Sequence, residues 1–138
     1  MKLAVSTILL VEDNPGDVLL VREALVEHRI EHELFVVSDG VQAVDYIDNI
    51  AEGSGSRPPD VVLIDLNLPK VDGLRVIAHL RNHPLCAATP VVVVTSSDAP
   101  RDRERATGLG VARYFRKPSE LDEFMHLGAI VKDALAMK

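Results

Sequence analysis

The chain has 138 residues, a length that suits a single domain, and its hydrophobic fraction of 47% supplies a real core. An aromatic fraction of only 4% makes that core aliphatic. A net charge of -6 argues against binding nucleic acid or an anionic membrane through the bulk field, and no apolar run approaches the ~20 residues of a membrane span. The N-terminus carries one lysine and a short apolar stretch, then acids at once, unlike a secretory signal. A cytoplasmic location is therefore expected. The lone cysteine, Cys86, has no partner for an internal disulfide. It reads as a small buried thiol in a reducing compartment, with a reactive thiol as the alternative.

The predicted elements run as follows. A first strand covers 7–11 (TILLV) and a first helix 15–27, where Val18, Val21 and Leu25 fall at helical spacing. A second strand covers 33–37 (ELFVV), and a helix at 40–51 carries Val41, Val44 and Ile47. The stretch GSGSRPP (53–59) reads as a flexible loop. The third strand is VVLI (61–64), followed by a helix at 73–82 with Leu74, Ile77 and Leu80. VVVV (91–94) is the fourth strand, and a weak helical pattern covers 101–108. ARYFR (112–116) is the fifth strand and 119–136 a strong final helix. The runs at 7, 61 and 91 are apolar without alternation, as in strands covered on both faces. Strand and helix alternate five times, which predicts an α/β domain with a five-stranded, parallel, doubly wound sheet. In such sheets the ligand site lies beyond the carboxyl ends of the strands.

The residues that follow each strand therefore matter most. They are Glu12 and Asp13, then Ser38 and Asp39, then Asp65 and Asn67, then Thr95 and Ser96, and last Lys117 and Pro118. Asp39 suits a cap for the next helix. Glu12, Asp13 and Asp65, if about 5 Å apart, would repel pairwise by about 3 kcal/mol at an effective dielectric near 20. Such a cluster needs a cation, and oxygen ligands without His or Cys suit Mg²⁺. Lys117 adds a fixed positive charge and Thr95 a hydroxyl. An oxygen nucleophile, a metal, an ammonium and a hydroxyl make a phosphoryl-acceptor site. Asp65 is the predicted nucleophile, exposed at the rim on the most completely apolar strand.

This ordered set resembles the receiver domain of two-component response regulators over nearly the whole chain. The resemblance implies a flavodoxin-like sheet in the order 2-1-3-4-5, with five helices. It implies a phosphoacceptor at Asp65 and a Mg²⁺ site made by Asp13, Asp65 and the Asn67 carbonyl, with Glu12 acting through water. It also implies phosphoryl contacts from Lys117, Thr95 and the Ser96 backbone N–H. Thr95 and Tyr114 would form a conformational switch, Asn67 and Ser97 occupy positions that tune self-dephosphorylation, and the peptide bond before Pro118 would be cis. LLVEDNPGDVLLVREAL (9–25) further resembles the small regulators of phytochrome-type histidine kinases. Within it, Asn14 is placed to cap the first helix, Pro15 to fill its first turn, and Asp17 to act as the capping-box acid. "NPGD" is also, more plainly, a good helix start.

The family's implied partner is a sensor histidine kinase, and the protein would be a phosphoacceptor in signalling rather than an enzyme. The chain length past Lys117 leads to the expectation of one domain over 1–138 with no separate output domain, signalling by protein contact. In the final helix, Leu121, Phe124, Gly128, Val131 and Leu135 form one stripe. Leu127, Ile130, Ala134 and Met137 form a second, which a monomer would leave partly wet. A homodimer through the last strand and helix follows as an expectation; a single wide buried face is the alternative. A non-phytochrome kinase or a phosphorelay role is the alternative to the phytochrome link. A Mg²⁺-dependent aspartyl-phosphate phosphatase is disfavoured, because Asn67 stands where a catalytic acid would be needed. A flavin module is disfavoured because "EDNPGD" puts acids where a phosphate loop belongs. His28 and His32, at i,i+4 spacing, and the charged run RDRER (101–105) read as a helix end and a solvated face.

Overall fold

The computed structural model describes residues 5–51 and 57–137. Most of the loop expected at 53–59 lies outside the described residues. The elements are β1 (Ser6–Val11), α1 (Pro15–Glu27), β2 (His32–Val37), α2 (Gly40–Asp48), β3 (Val61–Ile64), α3 (Gly73–Asn82), β4 (Val91–Thr95), α4 (Pro100–Gly108), β5 (Arg113–Arg116), α5 (Leu121–Met125) and α6 (Leu127–Ala136). The five strands are parallel, in the order β2-β1-β3-β4-β5.

The unbroken apolar runs have a simple cause. Side chains alternate across a strand, and both faces of this sheet are covered. Ile8, Leu10, Val61, Leu63, Val92 and Val94 point into one core, with α1, α5 and α6. Leu9, Val11, Val62, Ile64, Val91 and Val93 point into the other, with α2, α3 and α4. Cys86 is a free thiol buried in this second core, as expected, and burial pushes its pKa up.

Besides one-residue shifts at several ends, three boundaries differ from the sequence reading. Helix α2 ends at Asp48 rather than 51, where the Asn49 side chain donates to the Asp45 carbonyl and closes the last turn. The helix expected over 119–136 starts later and is interrupted at His126, whose N–H donates to Glu123 O, a tightened i→i+3 turn. The burial stripes also differ: Leu127 and Ala134, assigned to the wet stripe, are fully buried, while Leu121, assigned to the core, is 55% exposed. The final helix thus buries one wide face against α1 and the sheet.

Gly73 sets how closely α3 approaches the end of β3. A Cβ there would lie 2.4 Å from the Asp65 carbonyl oxygen and 2.7 Å from the Leu66 Cα. Gly73→Ala should destabilise the fold by about 1–3 kcal/mol, because backbone must shift to admit the methyl. Urea unfolding should show a lower midpoint at unchanged slope.

Candidate functional site

Glu12, Asp65 and Lys117 each begin where a strand stops, yet the backbone N–H of each stays tied to the adjacent strand. Glu12 N–H donates to Val37 O at 3.0 Å, Asp65 N–H to Val11 O at 3.0 Å, and Lys117 N–H to Thr95 O at 2.8 Å. The sheet therefore fixes these three Cα positions directly. Glu12, Asp13 and Asp65 each offer a carboxylate oxygen within 4.8 Å of the others. That spacing matches the repulsive cluster inferred from the sequence. Glu12 and Asp65 are buried and Asp13 is exposed.

The ammonium of Lys117 sits among them. Its Nζ donates to Glu12 Oε1 at 2.8 Å, Asp65 Oδ2 at 2.8 Å and Asp17 Oδ2 at 2.6 Å. Burial alone would lower the Lys117 pKa, but its hydrogen bonds to Asp17, Asp65 and Glu12 outweigh it and hold the group firmly protonated. Burial pushes the Glu12 carboxyl up to about 6, against the opposing pull of Lys117 and of the Asn14 N–H. The second Glu12 oxygen accepts from that N–H at 3.1 Å.

Two corrections follow. Asp65 is not openly exposed: it is 5% accessible, with Oδ2 facing Lys117 and Oδ1 accepting the Asn67 N–H at 3.0 Å. A neighbouring ammonium, as well as any metal, therefore compensates it. Asp17 is not a capping-box acid. Asn14 caps α1 by accepting from Gly16 and Asp17 N–H, but the reciprocal seat, the Asn14 N–H, belongs to Glu12. The Asp17 carboxylate reaches instead to Lys117, 100 positions away. The signal that marks it in the sequence is three acids within 12–17 facing a single rim lysine.

The remaining residues fall into a second group. Thr95 is fully buried, and its Oγ1 accepts the Ser97 N–H at 3.3 Å. Ser96 is exposed. Ser97 Oγ donates to Asp102 of α4, and Ser97 O accepts from the Tyr114 hydroxyl at 2.9 Å. Tyr114 is partly buried and lies under the Arg103 guanidinium, whose carbon stands 4.3 Å from the ring centroid. The β4–α4 loop thus joins Thr95 to Tyr114. Asn67 is exposed beside the cluster. Pro118 follows Lys117 through a trans bond, since no peptide bond is cis among the described residues; the trans form is the intrinsically favoured isomer by about 0.5–1 kcal/mol. Asp39 caps α2 through the Gln42 N–H at 2.8 Å, as expected. His28 donates to Met125 O and His32 contacts Ile30 O, so neither faces the other as a ligand.

Residues 8–128 match the family model of the response regulator receiver domain. The chain belongs to this family. It is 38% identical over 120 residues to the response regulator Rcp1 of Synechocystis sp., spanning 87% of this chain and 82% of Rcp1. The phosphorylated cyanobacterial phytochrome response regulator RcpA superposes with a TM-score of 0.87 at 34% identity, covering 98% of this chain and 97% of RcpA. The Mn²⁺-bound form of Rcp1 superposes with a TM-score of 0.82 at 35% identity, covering 93% and 92%. The protein is thus a two-component receiver related to phytochrome response regulators, and its acidic cluster is of a kind that could hold a divalent ion. No helix among the described residues is long and apolar enough to cross a membrane.

The Glu12 shift has a measurable sign. Its folded pKa, about 6, exceeds its ordinary 4.5. Below the ordinary value its contribution to metal-free stability is fully present, and it is lost as pH rises through about 6. Metal-free wild type should therefore lose on the order of 1–2 kcal/mol between pH 4.5 and 7 from this group. Glu12→Gln should lack that component of the slope in urea titrations across the same window.

Proposed function

We propose that this protein accepts a phosphoryl group on Asp65 from the phosphohistidine of a sensor histidine kinase, in the cytoplasm, and signals by a conformational switch. The observation that carries the reading is the Asp65 carboxylate at the end of β3, beside Glu12 and Asp13 and 2.8 Å from the Lys117 ammonium. In the transfer, an Asp65 carboxylate oxygen forms a bond to phosphorus as the histidine N–P bond breaks. The donor set is all oxygen and suits Mg²⁺. Asp13, Asp65 and the Asn67 carbonyl would hold the ion, with Glu12 through water, since both Glu12 oxygens already have partners. When bound, it supplies positive charge to the oxygens of the transferring group.

Lys117 must give up its bond to Asp65 Oδ2 and pass that N–H to a phosphoryl oxygen. Thr95 and the Ser96 N–H would take the others. Movement of Thr95 then pulls on Ser97, whose carbonyl holds the Tyr114 hydroxyl. A full swing from 1:99 to 99:1 needs about 5.5 kcal/mol of differential stabilisation, a sum within reach of two charge-assisted hydrogen bonds and a repacked aromatic. Self-dephosphorylation would be tuned at Asn67 and Ser97. The similarity to RcpA and Rcp1 supports a phytochrome-type kinase as the donor.

A homodimer through the final strand and helix is the proposed assembly. β5 ends the sheet and so presents an open edge. The apolar support is narrower than the sequence stripe implied, because Leu127 and Ala134 are buried and, of the large apolar side chains there, only Leu121 and Met137 stand widely exposed. Sedimentation from micromolar to near-millimolar protein should show a concentration-dependent rise toward twice the monomer mass. A constant monomer mass would remove the dimer.

With Mg²⁺ and acetyl phosphate, intact mass should rise by one phosphoryl group, and Asp65→Asn should abolish the gain. Persistence of the modification in that variant would move the acceptor elsewhere. A phytochrome-linked donor should load the protein in a light-dependent manner, and light-insensitive loading would argue for another kinase.

A further inference from the structure

We propose that Asp17 is a positioning residue for Lys117: its carboxylate keeps the ammonium at the rim when Asp65 is engaged elsewhere. The inference rests on the reading of Asp65 as the phosphoacceptor. A lysine ammonium has three N–H donors and no acceptor. Here each donor meets a different carboxylate, Asp17 at 2.6 Å, Glu12 at 2.8 Å and Asp65 at 2.8 Å. Two of these three belong to the cluster that would take a cation; Asp17 does not. A cation in that cluster competes with Lys117 for Asp65 and draws on Glu12 through water, and a phosphoryl group on Asp65 consumes one of its oxygens. Asp17 is then the acceptor that lies outside the cation's field.

The local structure supports a dedicated role. Asp17 stands in the first turn of α1, whose entry is fixed by Pro15 and the Asn14 cap. The capping seat that an acid at this position would ordinarily fill is taken by Glu12. The Asp17 side chain is 23% exposed and that of Lys117 12%, so the pair is sheltered from solvent but not sealed. Lysine carries its charge on a flexible four-carbon stem. Without a fixed partner outside the metal cluster, that stem has several positions, and only some present an N–H to a phosphoryl oxygen. Misplacing a catalytic charge by even an ångström is costly in rate.

The test uses the full chain at saturating Mg²⁺. Asp17→Asn and Asp17→Ala should slow phosphoryl uptake from acetyl phosphate, and weaken binding of the phosphoryl mimic beryllofluoride, by at least about fivefold. Asp17→Glu should recover part of both. In the unphosphorylated protein, the Lys117 ¹⁵Nζ signal should be protected from solvent exchange in wild type and lose protection in Asp17→Asn. Uptake and beryllofluoride affinity within about twofold of wild type in folded Asp17→Asn would overturn the proposal. So would a loss of Mg²⁺ affinity equal to the loss of uptake, which would make Asp17 part of the metal field instead. If wild type itself takes no phosphoryl group, the acceptor reading fails, and the exchange measurement still decides whether Asp17 holds Lys117.

Discussion

Parallel strands in register deliver all their carboxyl ends to one rim, and the functional chemistry depends on that alignment. The sheet does more than bring the ends near each other. Glu12, Asp65 and Lys117 each lie one residue past their strand, yet each backbone N–H is still bonded to the adjacent strand. Their Cα positions are therefore as rigid as the sheet, whose interior strands β1, β3 and β4 are covered on both faces. Loops alone could not hold three carboxylates and an ammonium at hydrogen-bonding distance against their own repulsion and entropy.

That arrangement carries a stored electrostatic imbalance. Glu12, Asp13, Asp17 and Asp65 face one Lys117. The ammonium satisfies three of the four carboxylates directly, and burial still pushes Glu12 toward protonation. A site with this surplus of negative oxygen is of a kind that could hold a hard divalent cation. Under the proposed function the same imbalance would give a route to signalling. A change at Asp65 would alter what Lys117 binds, and the neighbouring rim residue Thr95 is connected through Ser97 to both α4 and Tyr114.

How much of this could be read from the chain depended on whether a residue's role is set locally. The runs TILLV, VVLI and VVVV announce doubly covered strands because nothing polar interrupts either face. The caps at Asn14 and Asp39 were legible because a cap bonds within three residues of itself. The partner of Asp17 was not, because it lies 100 positions away. The stripes of the last helix are only partly legible, with Phe124, Gly128 and Val131 buried as expected, because spacing defines a face but not which neighbour covers it. Leu127 meets the core while Leu121 is left at the surface.

The sequence by itself determined the alternation of strand and helix, the aliphatic double core, and the identity and order of the rim residues, Glu12, Asp13, Asp65, Asn67, Thr95, Lys117 and Pro118. These follow from short-range periodicity and from chain order, which any single sequence displays. Only the tertiary structure decided which charges meet. It placed Lys117 on Glu12, Asp17 and Asp65 together, sheltered Asp65 more than its rim position implied, and tied Tyr114 to Ser97. Coulomb energy and hydrogen bonding depend on separations in space, and folding sets those separations.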